Sequence, residues 1–135
     1  MAGPIQTLSY FARRLIQFEQ KFASRTPEKV LEAAELFRSM SEGLDGLLDA
    51  FDDQAALEPA TATLKAMLPQ LESEVHAEMG SPESEKLSHA LREALEPGNL
   101  QRQMDAPNRD TLVAELDKAA ILVRALADGL RVRHQ

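Results

Sequence analysis

Apolar side chains recur at steps of three and four along almost the whole chain, and that spacing admits only helices. Leu8, Phe11, Leu15, Phe18 and Phe22 form a first series, and Val30, Ala33, Phe37, Met40, Leu44, Leu47 and Phe51 form a second. The third runs through Leu57, Thr61, Leu64, Leu68, Leu71 and Val75, and a short fourth through Leu87, Leu91 and Leu95. Leu112, Leu116, Ala119, Val123, Leu126 and Leu130 make the fifth. At about 100° per residue each series stays on one face of a helix. The alternation of a half-buried strand never persists beyond a few residues, so no sheet is expected.

The turn chemistry agrees. Thr26-Pro27-Glu28 offers a cap, a proline at the first helical position and an acid at the positive end of the dipole, and Ser81-Pro82-Glu83 repeats the pattern. Gly80 suits the close of the helix before it, Glu96-Pro97-Gly98 stops the next, and Asn108 or Asp110 caps the last. The predicted helices span about 6–24, 27–53, 58–79, 82–96 and 109–132. Between 97 and 109, the spacing of Leu100 and Met104 predicts a short helical turn. Pro69 lies inside the third helix, where its missing donor predicts a kink. Gly43 and Gly46 project away from the second apolar stripe, where they are either tolerated or admit a close neighbour.

Rods with such stripes hide them by packing on one another. The expected fold is all-α: an antiparallel four- to five-helix bundle with a kinked third helix, built as one domain over residues 1–135. All six aromatic residues fall within the first 51 residues, so the first two helices form a Phe-rich hairpin with Phe37 buried. The fifth helix carries Ala119, Ala120, Ala125 and Ala127 and permits close approach. Ile121 projects about 180° from its stripe, beside Leu122. Either that helix is central, or its outer face meets a partner or a second copy.

Charge narrows the function. The net charge is −7, which disfavours a chain that grips phosphate backbones. The distribution is uneven: +3 over residues 1–29, −11 over 30–96 and +1 over 97–135. Glu42, Asp45, Asp49 and Asp52 form one acidic stripe, whose like charges repel by a few tenths of a kcal/mol per pair. It reads as a solvated face partly neutralised by Arg13, Arg102 or Arg109, as a docking strip for a basic partner, or as a cation site. The last is opposed by the absence of a calcium-loop motif.

Candidates for chemistry are few. There are no cysteines, so thiolate metal sites and cysteine nucleophiles are excluded. Glu72 and His76 are four apart, as are Glu85 and His89, whereas carboxylate-bridged metal bundles use a Glu-x-x-His spacing. Both histidines project off the core and read as surface residues, and His134 lies in an end expected to fray. Thr61 reads as bonded back to its own helix. The basic stretch Arg131-Val132-Arg133-His134 suits a helix C-terminus. No nucleophile elbow or glycine-rich phosphate loop occurs.

These features predict no catalytic residues, no cofactor and no metal. They predict a non-enzymatic bundle that works through protein–protein contact, as adaptor, chaperone, inhibitor or oligomeric scaffold, with self-association expected. The contact residues expected are Glu42, Asp45, Asp49, Asp52, Ile121 and Leu122. The alternatives are a bundle that binds a small molecule or metal near Pro69, and an acidic mimic of nucleic acid. Neither nucleic acid nor membrane is expected as a partner. Residues 7–25 have the basic amphipathic look of a mitochondrial presequence, but their spacing matches the rest of the chain and reads as a structural helix, so a cytoplasmic location is expected.

Overall fold

The computed structural model describes the backbone of residues 3–134 and the side chains of residues 3–132. The side chains of Arg133 and His134, and with them part of the basic stretch read at that end, lie outside the described residues. Every regular element among the described residues is helical: α1 (Pro4–Gln17), α2 (Glu19–Ala23), α3 (Pro27–Ala50), α4 (Leu57–Met79), α5 (Ser81–Ala94), α6 (Pro97–Met104) and α7 (Arg109–His134). A single 3-10 turn, Gln54–Ala56, leads into α4.

The five long helices close into a ring in the order α1, α7, α3, α4, α5 and back to α1, with the α3–α7 seam the most extensive. Ion pairs give the directions. Arg131 meets Glu35 and Arg109 meets Asp52, so α7 runs antiparallel to α3. Arg13 approaches Glu115, and Glu19 lies against Gly129 fourteen residues further up α7, so α1 and α2 run parallel to α7. An odd ring cannot alternate throughout, and the first and last helices form the pair that does not. Short α6 closes one end, where Gln103 accepts from the Ile5 backbone N–H at 2.7 Å.

All five apolar series point inward. Phe11, Phe22, Phe37, Leu15, Met40, Leu44 and Leu112 are among the side chains fully withdrawn from solvent. Phe22 meets Phe37 edge-on, with ring centroids 5.1 Å apart at 75°, a favoured aromatic geometry. Among the described residues the buried polar side chains are four hydroxyls, Ser9, Ser41, Thr61 and Ser84. Thr61 donates to the Leu57 and Glu58 carbonyls, both at 3.0 Å, as its place on the stripe predicts.

Several local expectations change. The helix expected over 6–24 breaks at Phe18, whose N–H bonds to the Leu15 carbonyl three residues back at 3.0 Å. Thr26 occupies the cap position of α3 without a side-chain cap hydrogen bond. Gly80 closes α4 with φ +86° and also serves as the cap of α5, so that helix starts at Ser81, with Pro82 one residue inside it. Pro69 does lie inside α4, as the sequence places it, and it stands on the exposed side. The glycines of α3 do not face away from the packing. A Cβ on Gly43 would lie 2.7 Å from Leu64 Cδ2, and one on Gly46 would lie 3.0 Å from Ala60 Cβ. Lacking side chains, they let α3 and α4 approach closely.

Candidate functional site

The acidic stripe and the outer face of α7 lie on neighbouring helices, which pack together along the α3–α7 seam. Three of the four acids already have arginine partners within the chain. Asp45 pairs with Arg124, Asp52 with Arg109 at 3.3 Å and Glu42 with Arg38 at 3.6 Å. Asp49 makes no ion pair among the described residues. Of the cations expected to neutralise the stripe only Arg109 does so; Arg13 goes to Glu115 and Arg102 to Asn99.

This pattern extends across the bundle. Arg14 of α1 reaches Glu83 of α5, and Arg25 reaches Glu74 and Glu78 of α4. The basic flanks of the chain therefore neutralise its acidic middle across helix interfaces. Arg25 is the most enclosed of these cations, with 16% of its side chain exposed and its guanidinium 4.8 Å from the Phe22 ring centroid. Burial disfavours its charge, but the hydrogen bonds and field of Glu74 and Glu78 outweigh that, and its pKa rises above the ordinary guanidinium value.

Two expected contact residues stand differently on α7. Ile121 is 56% exposed, whereas Leu122 is half-buried. Val132, which the sequence reading passed over, is 69% exposed. Eleven residues separate it from Ile121, which places the two within about 20° of one another around the helix. Exposed Ala114 and Ala125 fall on the same line, with exposed Lys118 and Asp128 at its edges. The signal for Val132 was available in its spacing from Ile121; its position within a basic stretch hid it.

A second feature lies between α4 and α5. A cleft of about 470 Å³ is lined by Pro69, Glu72, His76, Glu85, His89 and Arg92, among others. Both Glu-x-x-x-His pairs thus converge, as residues on two helices joined by a tight turn should. Two of these four side chains have partners outside the pairs: Glu72 meets Arg92, and His89 Nε2 lies 3.3 Å from Glu93. Among the described residues no group of three or more histidines and carboxylates is placed to hold a metal ion. Another concavity, of about 680 Å³, runs between α1 and α5 beside Tyr10, Pro82 and Leu87.

Among the described residues no helix is long and apolar enough to cross a membrane. Comparison with protein-family models, with curated proteins and with solved structures returns no match.

Proposed function

We propose that this chain acts through protein–protein contact, as a helical adaptor, chaperone, inhibitor or scaffold, and that the outer face of α7 is its contact surface. One observation carries the reading. Ile121 and Val132 stand in solvent on a single line of a helix whose opposite face is fully packed. Desolvating such side chains yields about 25 cal/mol per Å² of apolar area, so a surface that covers them gains affinity. The acidic stripe is a weaker contact element, because Asp45 and Asp52 already satisfy arginines of the same chain. A nucleic-acid mimic is disfavoured on the same ground.

Size-exclusion chromatography with light scattering, run beside affinity capture, tests the reading on the wild type and on Ile121→Glu. The wild type is expected to form an assembly, with itself or with a captured protein, that the variant weakens. Because Ile121 is exposed, the variant should keep its stability to within about 0.5 kcal/mol. A monomeric wild type that holds no partner lost on Ile121→Glu overturns the reading.

The α4–α5 cleft favours a second reading, a small polar ligand held beside Pro69 by His76, His89 and Arg92. A ligand-dependent rise in melting temperature that disappears in His89→Ala supports it, and a flat response across a panel of small anions rejects it.

A further inference from the structure

Resting on the reading that the outer face of α7 is the contact surface, we infer that its occupant is the same face of a second copy, laid antiparallel across a two-fold axis. The exposed residues Ala114, Lys118, Ile121, Ala125, Asp128 and Val132 follow one another at steps of four, three, four, three and four. That is the spacing of a coiled-coil seam, here left uncovered on the outside of the bundle. When two identical helices pair antiparallel, residues that mirror about a common centre meet.

With the centre at Val123, Lys118 of one copy meets Asp128 of the other. Ile121 meets Ala125, and Val132 meets Ala114. Each layer is complementary, either in charge or by setting a large side chain against a small one. Within the chain, neither Lys118 nor Asp128 has an ion-pair partner among the described residues. A parallel pairing would instead stack Lys118 on Lys118, Asp128 on Asp128 and Ile121 on Ile121.

The axis also brings the two Arg124 side chains toward each other. Each arrives already paired with Asp45 of its own chain, so the groups that face across the axis are neutral pairs. Asp45 is thereby a positioning residue for the seam, and the pairing is isologous and closed. A single helix pair lies at the small end of specific interfaces, so the dimer is weak and is sought into the hundreds of micromolar.

A charge-reversal mixing experiment on the full chain tests this. Sedimentation equilibrium is measured for the wild type, Lys118→Asp, Asp128→Lys and an equimolar mixture of the two variants, with circular dichroism confirming the fold of each. The wild type is expected to approach twice the chain mass. Each variant alone should dimerise about tenfold more weakly, because both symmetric layers change from attraction to repulsion. The mixture should recover the wild-type affinity as a heterodimer, since opposite charges again meet in both layers.

A mixture as weak as its components overturns the antiparallel register. A wild type that stays monomeric overturns the dimer. If that monomer still holds another protein through Ile121, the broader contact reading survives. If Ile121→Glu alters neither self-association nor capture, both fall.

Discussion

Arg124 of α7 closes on Asp45 of α3, and the two residues are 79 positions apart in the chain. Their side chains remain 51% and 41% exposed, so the pair is screened by solvent and ions. A double-mutant cycle with Asp45→Ala and Arg124→Ala is expected to yield a coupling of about 0.2–1 kcal/mol. Chemical denaturation in low and high salt checks it, and the coupling should shrink as salt rises.

Arg25→Met is expected to cost more, about 1–3 kcal/mol, because it leaves Glu74 and Glu78 facing one another in a pocket that excludes most solvent. The sign with pH follows from the chemistry. A cation whose pKa is raised on folding contributes stability at every pH below its unfolded value, and for Arg25 that covers the whole working range. The difference between variant and wild type should therefore be constant from neutral pH upward. Urea unfolding at several pH values from neutral upward checks it.

Two glycines should respond with opposite sign to alanine. Gly43→Ala forces a methyl to 2.7 Å from Leu64, which is only 3% exposed, and should destabilise by about 1–3 kcal/mol. Gly98→Ala meets nothing within 4 Å and should stabilise by about 0.4–1 kcal/mol through the unfolded chain. Thermal unfolding of the two variants distinguishes them. Combining Gly43→Ala with Leu64→Ala should cost less than the sum of the single changes, because each relieves the other.

Phe37→Ala should cost about 3–5 kcal/mol, since it opens a cavity beside Phe22 in a fully enclosed core. A denaturation midpoint unchanged by this substitution would mean that α3 presents a different face to the interior.

Where large side chains mark the buried face, the periodicity locates the helix. This is why all five long helices were legible, and why Leu100 and Met104 reveal α6 inside an otherwise loop-like segment. The break at Phe18 was not legible, because Leu15, Phe18 and Phe22 keep the helical spacing straight through it and no glycine or proline marks the turn. Gly43 misled for the opposite reason. A projection built from large residues assigns a glycine to solvent, although the absence of a side chain is what brings the neighbouring helix onto it.

The candidate site was half legible. The exposure of Ile121 follows from its angle on α7, and that of Val132 follows from the same angle, once each residue is considered apart from its neighbours. Among the partners of the acidic stripe Arg109 was legible, whereas Arg124, 79 positions from Asp45, was not. Local spacing carries no information about which distant helix will lie alongside.

The same-direction pairing of α1 with α7 has a consequence for rearranging this chain. Residue 134 finishes at the rim opposite the one where α1 starts, and α7 alone rises about 39 Å at 1.5 Å per residue. A circular permutant that joins these two points therefore needs a tether running the height of the barrel of rods. Reopening the chain at the tight corner around Gly80 leaves that requirement in place.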